Sequence, residues 1–183
     1  IEALLQTLSS IQQRESINKL AASKNLNLAG LVQETHQSHI AQPDFDIMTA
    51  ISALFDFIFI DYNLPDAIKV LLTRLHIPIL KVALIDQSFL TQRGHPARKL
   101  LNEMTGAGLV WSAKVEQSLR KKDTLYKQFE TIINNIVEGF SNDITIFDEQ
   151  LTILKGFIEK ENRQANILTK RTLSAEKGKA KND

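Results

Sequence analysis

The chain has 183 residues, of which 43% are hydrophobic and 23% charged, and its formal net charge is +1. This balance is typical of a globular protein with a sizeable core and excludes a disordered or strongly basic chain. The absence of cysteine excludes disulfides and thiolate metal sites, and 7 glycines with 4 prolines are too few for an all-β fold, so we expect an all-α protein.

The N-terminal region predicts two helices. Apolar residues recur at helical spacing in residues 2–22 and indicate an amphipathic helix. A shorter helix is expected over residues 28–40, where His36 and His39 lie three residues apart. A zinc site needs three or four protein ligands, and no further ligand stands at a recognisable spacing from these histidines. We therefore predict no metal site.

A strongly apolar helix is expected after Gln42-Pro43-Asp44, because proline and acidic residues are favoured in a first helical turn. Within residues 47–60, Thr49, Ser52 and Asp56 interrupt the apolar run and form a narrow polar stripe. A helix with so wide an apolar arc is typically surrounded by other helices, so we predict that it is the hub of the core. The run is shorter than the roughly 20 apolar residues of a membrane span, and no span is predicted.

The middle of the chain predicts three further helical segments. Leu64-Pro65 begins a helix by the same argument, and Pro78 must break or bend it, since proline lacks an N–H group. Another helix should open at His95-Pro96. Gly106 and Gly108 are expected to close that helix, because glycine is the usual residue after a helix end.

The last third predicts a long antiparallel helical hairpin over residues 123–175, after a helical core over residues 1–113. A turn signal at Ser141-Asn142-Asp143 separates the two helices. The second helix carries a heptad seam, which either packs on the core or docks a partner or a second copy. We name as candidate interaction residues of this seam Phe147, Leu151, Leu154 and Ile158. Residues 176–183 are small, polar and basic, and predict a flexible tail.

The segment RGHPAR, residues 93–98, supplies the most distinctive local chemistry. A helix N-terminus presents free N–H groups and a partial positive charge, which favour anions. Arg93, His95 and Arg98 around such a terminus are therefore candidate anion-binding residues. In the alternative interpretation, which we favour, His95 caps the helix and the arginines pair with acidic residues of neighbouring helices.

No catalytic constellation is recognisable in the sequence. The glycines form no phosphate-binding loop, and no serine lies in a nucleophile-elbow pattern. We therefore predict no enzyme activity, no catalytic residue and no cofactor. Basic residues cluster at 120–122 and again after residue 169, but the small net charge and the lack of interleaved aromatic residues do not favour nucleic-acid binding.

A long pattern in residues 64–111 carries a family resemblance. It comprises Leu64-Pro65, Arg74-Leu75-His76-Ile77-Pro78, Lys81-Val82-Ala83, the run from His95 to Asn102, Gly108 and Trp111. With these residues the chain resembles a bacterial family of large proteins known as domain of unknown function 1631 (DUF1631). The resemblance implies a bacterial cytoplasmic protein of which this chain is a fragment, and it assigns no chemistry. Some members carry the label thymidine phosphorylase, but this chain lacks the glycine-rich phosphate site and the length of such an enzyme.

These observations favour a non-enzymatic protein-interaction or scaffolding module of a larger bacterial regulatory protein. Its partner would be an unknown protein or a second copy bound through the C-terminal hairpin. One alternative is an anion-sensing or cyclic-nucleotide-sensing module that uses Arg93, His95 and Arg98. Another is weak nucleic-acid binding through the basic C-terminal region.

Overall fold

The computed structural model describes residues 2–18, 40–114 and 119–182, with side chains in 2–12, 40–111 and 124–175. As predicted, these residues are all-α: they form eight helices and no strand. The helices are α1 (Glu2–Asn18), α2 (Gln42–Ile60), α3 (Asp66–Thr73), α4 (His76–Ile85), α5 (Ser88–Thr91), α6 (Pro96–Lys114), α7 (Leu119–Gly139) and α8 (Thr145–Asn182). Residues 28–39 of the predicted second helix, including His36 and His39, lie outside the described residues.

Local signals place several helix ends where the sequence predicts them. Helix α2 begins at Gln42 with Pro43 in its first turn, and α3 begins directly after Pro65. The predicted bend before Pro78 is confirmed, because α3 ends at Thr73 and α4 starts at His76. In each case proline occupies a position where its missing N–H group breaks no helical hydrogen bond.

Helix α4 is the hub of the core, and the prediction that α2 holds this position is wrong. Every residue from Ile77 to Leu84 in α4 is buried, and the helix packs against α1, α2 and α5. Helix α2 lies at the surface, where Phe57 is 76% exposed and Ile60 66% exposed. A wide apolar arc shows that a helix can be buried on several sides, but only its neighbours decide which sides are covered.

Helix α6 continues through both glycines that the sequence predicts as its end, so this prediction is wrong. A Cβ atom on Gly108 would lie 2.8 Å from Leu64 Cδ1 and 3.1 Å from Ile68 Cγ2, whereas a Cβ atom on Gly106 would meet nothing within 4 Å. Gly108 therefore permits close packing of α6 on the start of α3. The two glycines are interior helix residues with different surroundings and do not act as caps.

The predicted C-terminal pair of helices is present as α7 and α8, joined by a short turn. Asp143 lies two residues before α8 and stabilises its start, since its carboxylate accepts hydrogen bonds from the N–H (3.0 Å) and hydroxyl (2.7 Å) of Thr145. Helix α8 packs against α6 as well as α7, and the buried residues of α7 and α8 belong to the same core as those of the preceding helices. The backbone of residues 176–182 continues α8 as a helix, and the flexible tail expected from their composition stays a prediction.

Candidate functional site

The predicted anion-binding residues lie around the start of α6. His95 is buried, Arg98 is half-buried and Arg93 is exposed. The His95 carbonyl accepts the first helical hydrogen bond, from the N–H of Lys99 at 2.9 Å, so His95 is the N-cap residue. The Arg98 guanidinium donates to the carbonyl of Leu90 at 3.4 Å, a contact with backbone and not with an acidic side chain.

The His95 ring completes a closed hydrogen-bond network. Its Nδ1 accepts from the N–H of Ala97 at 3.2 Å, so the hydrogen-bond pattern assigns the ring proton to Nε2. Nε2 lies 3.2 Å from Asp86 Oδ2 and donates to it, and Phe89 covers the ring edge-on at 5.6 Å. Hydrogen bonds from Ser88, followed by those from His95, hold the pKa of Asp86 below its usual value.

This network connects the start of α6 to Asp86 and Phe89 and has a structural role. Both ring nitrogens of His95 have partners within the protein, and the charged partner is the carboxylate of Asp86. Neither Arg93 nor Arg98 contacts the ring in these interactions. An anion at this terminus would face a carboxylate and compete with His95 for the N–H of Ala97. The geometry therefore agrees with the capping interpretation of His95 and does not favour the anion site.

The predicted interaction seam divides into two parts. Phe147 and Leu154 are completely buried and Leu151 is nearly so, which means that they pack in the core of this chain. Of the two roles that the heptad pattern left open, these three residues take the intramolecular one, because α6 and α7 cover this face. Ile158, one turn further along α8, is only half-buried and borders an open groove.

The groove is lined by the C-terminal half of α6, by Leu125 of α7 and by the middle of α8. Its volume is about 460 Å³, within the range of known binding clefts. The residues that line it are Asn102, Glu103, Gly106, Ala107, Val110, Trp111, Leu125, Phe157, Ile158, Glu161, Asn162 and Ala165. We call this surface the α6–α8 groove.

The lining of the α6–α8 groove combines apolar surface with negative charge. Trp111, Phe157 and Ile158 provide large apolar side chains, and Gly106 and Ala165 leave space beside them. Among the described side chains, the charged members of the lining are both glutamates, Glu103 and Glu161. Such a surface suits a ligand that offers apolar side chains together with a positive charge. Sequence reasoning identified Ile158 but missed the α6 wall, whose residues are far from α8 along the chain.

A second feature that the sequence analysis missed is the buried amine of Lys81 at the centre of the bundle. Its Nζ lies 3.5 Å from Gln12 Oε1, 3.4 Å from the Phe140 carbonyl and 4.9 Å from the centre of the Phe140 ring. Gln12 in turn donates to the carbonyl of Val137. Burial lowers the pKa of Lys81, while the carbonyls at the end of α7 favour its charge. The network connects α1, α4 and α7. The sequence signal that could have predicted it is the single lysine within the apolar run 77–85.

His76, at the start of α4, is a half-buried polar residue. Its ring stacks on Phe55 with centroids 4.7 Å apart, and its Nε2 has no hydrogen-bond partner among the described residues. Burial lowers the pKa of His76 to about 4, and the nearby charge of Asp56 offsets part of this effect. The ring is therefore neutral near pH 7 and acts as an apolar packing element.

The described residues contain no group of three or more histidine, cysteine or acidic side chains that could hold a metal ion. Within the same residues, no helix is both long enough and apolar enough to cross a membrane. The described residues therefore form a helical bundle with an open groove, and the long last helix α8 forms one wall of that groove.

The family can now be stated. Residues 1–143 match the family described as "Protein of unknown function (DUF1631) 2nd domain", so the chain belongs to the DUF1631 family. This finding confirms the resemblance carried by residues 64–111. The matched region ends in the turn between α7 and α8, so α8 forms its wall of the groove from outside that region. No curated protein and no solved structure matches the chain.

Proposed function

We propose that this chain is a non-enzymatic protein-interaction module of a larger bacterial regulatory protein. In this proposal the α6–α8 groove binds an amphipathic helix whose apolar face is flanked by basic side chains. We expect it to act in the cytoplasm, as the family resemblance implies and as suits a chain without cysteine. The observation that carries the proposal is the apolar groove with Glu103 and Glu161 in its lining.

The size and lining of the groove favour a helix as the ligand. Helix-in-groove recognition uses apolar anchors spaced three, four and seven residues apart, and Trp111, Phe157 and Ile158 offer apolar surface for them. Burial of one leucine contributes roughly 1.5–3 kcal/mol, so three anchors contribute roughly 4.5–9 kcal/mol. Dissociation constants between about 0.2 µM and 0.5 mM are therefore expected. The two glutamates would orient the helix more than they strengthen its binding.

The single tryptophan of the chain provides a direct test, because Trp111 lines the groove. A synthetic helix with leucines at spacings of three, four and seven and with lysines or arginines between them is titrated into the protein. A second peptide keeps the leucines and replaces each basic residue by glutamate. The basic peptide should change the emission of Trp111 at saturation and bind at least tenfold more tightly than the acidic one.

A matched pair of glycine substitutions localises the binding. Gly106 lines the groove and Gly156 does not, and a Cβ atom at either position meets nothing within 4 Å. Gly106→Gln should therefore weaken peptide binding at least tenfold, while Gly156→Gln leaves it unchanged. Equal binding by the two variants, or no emission change with 1 mM peptide, would refute the proposal.

A further inference from the structure

The last turns of α8 carry an unpartnered apolar face next to the groove. All described residues after Ala165, from 166 to 175, are exposed. Leu168 is 53% exposed and Leu173 is 51% exposed. Leu168 lies three residues after Ala165, so it shares the helix face that lines the groove, and Leu173 lies at the edge of that face. The groove face of α8 thus continues as an apolar strip beyond the bundle.

This strip, residues 165–175, has the chemistry that the groove suits. Its apolar side chains include Leu168 and Leu173, which are accompanied by Lys170 and Arg171, and no acidic residue occurs within it. Among the residues whose side chains the structure describes, the groove lining contains Glu103 and Glu161 and no basic residue. The strip and the groove are therefore complementary in both apolar surface and charge.

The strip cannot enter the groove of its own chain. Helix α8 is continuous from Thr145 to Asn182, and its residues Phe157 to Ala165 form one wall of the groove. To reach that wall, the strip would have to fold back on the turns that precede it, which a continuous helix does not allow. A second copy of the chain can supply the same strip without breaking any helix.

We propose that the occupant of the α6–α8 groove is the 165–175 strip of a second copy, in a two-fold symmetric dimer; this inference rests on the groove being a helix-binding site. The two α8 helices run antiparallel and cross at Ala165, whose small side chain permits close approach. Phe157 and Leu173 each lie eight residues from Ala165, or about 12 Å along the helix, so Leu173 of one copy reaches the level of Phe157 of the other. Each copy both gives a strip and receives one, as two-fold symmetry requires.

The dimer is tested by sedimentation equilibrium of the 183-residue chain over a range of protein concentrations. The wild type and Gly156→Gln should show the same monomer–dimer equilibrium, with Trp111 emission changing over the same concentrations. Leu168→Glu and Gly106→Gln should each raise the dimer dissociation constant more than tenfold. Both positions are exposed in the single chain, and unchanged circular dichroism will show that the variants remain folded.

Mixing the two defective variants separates docking from an indirect effect. Leu168→Glu retains a working groove, and Gly106→Gln retains a working strip, so one of the two docking contacts is restored in the mixed dimer. The mixture should associate more tightly than either variant alone. A dimer that withstands both substitutions, or a mixture without this gain, would overturn the inference.

Two further outcomes distinguish this inference from the proposed function. If the chain stays monomeric up to about 1 mM while the basic peptide still binds the groove, the second copy is the wrong occupant and the helix-binding function stands. If neither the second copy nor the peptide binds, both proposals fail.

Discussion

The two ends of α6 differ in a way that the sequence does not suggest. Its first turn contains the chemically distinctive RGHPAR segment, yet His95 is buried and both ring nitrogens are engaged by Asp86 and Ala97. Its last turns contain glycine, alanine, valine and Trp111, yet they line the open groove. Polar residues at the first end complete the fold, whereas apolar residues at the second end line an open groove. The difference teaches that reactive side chains mark a site only when their hydrogen-bonding capacity is left open.

The same contrast extends to the whole molecule. The closed half, around α4 and the start of α6, contains the buried polar residues Lys81 and His95 and the half-buried His76. The open end, between the last turns of α6 and the middle of α8, contains the groove. Substitutions in the closed half should therefore change stability and leave binding intact, whereas those at the open end should mainly change binding, with smaller effects on stability.

The largest stability effect is expected for His95→Ala. This change removes the cap on Ala97, the hydrogen bond to Asp86 and the packing on Phe89, and should lower the free energy of unfolding by about 2–4 kcal/mol. Urea denaturation measures the loss. His95→Asn should recover about 1 kcal/mol, because asparagine is a good N-cap residue. Binding of the basic peptide should be unchanged; a loss of less than about 1 kcal/mol for His95→Ala would contradict the structural role.

Acid should weaken the closed half through His76. The pKa of His76 is lowered to about 4 in the folded protein, whereas an unfolded histidine titrates near 6.5. Between these pH values the unfolded state binds more protons than the folded state. The contribution of His76 to the free energy of unfolding is therefore fully present above pH 6.5 and is lost as the pH drops towards 4. At about 1.4 kcal/mol per pH unit, the loss reaches about 3 kcal/mol. Urea denaturation between pH 7 and 4 should show it, and in His76→Gln this part of the pH dependence should disappear.

The smallest effects are expected for two alanine substitutions that lie two residues apart in α6. Gly106→Ala should stabilise the protein by about 0.5–1 kcal/mol, because alanine is the better helix former and its Cβ meets open space. Gly108→Ala should instead destabilise by about 1–2 kcal/mol, since the new methyl group would press on Leu64 and Ile68. Thermal unfolding of the two variants and the wild type measures whether each substitution raises or lowers the stability. Equal signs would show that the two sides of α6 do not differ in packing.

Local sequence signals predicted much of the fold. Pro43 and Pro65 predicted the starts of α2 and α3, and Pro78 predicted the bend between α3 and α4. Proline marks such places because it is disfavoured in the interior of a helix. The turn signal that contains Asp143 predicted the start of α8, and the hydrogen bonds from Thr145 to the Asp143 carboxylate stabilise that start. The pattern in residues 64–111 predicted the DUF1631 family, which the match over residues 1–143 confirms.

The candidate site was predicted only in part. The heptad spacing identified Ile158 but grouped it with Phe147, Leu151 and Leu154, which are buried in the core. Spacing shows which residues share a helix face, but not how far along the helix a neighbouring helix covers that face. Trp111 entered the sequence analysis as a family marker, and only the packing of α6 beside α8 makes it part of a groove.

By itself, therefore, the sequence determined the helical class, several helix ends and the family, because these depend on residues close together in the chain. The tertiary structure alone decided that α4 is the hub and that Gly106 faces a groove while Gly108 faces the core. It also decided that the His95 ring is a buried cap. These properties depend on which distant side chains cover a given helix face, and the local periodicity of apolar residues does not specify those side chains.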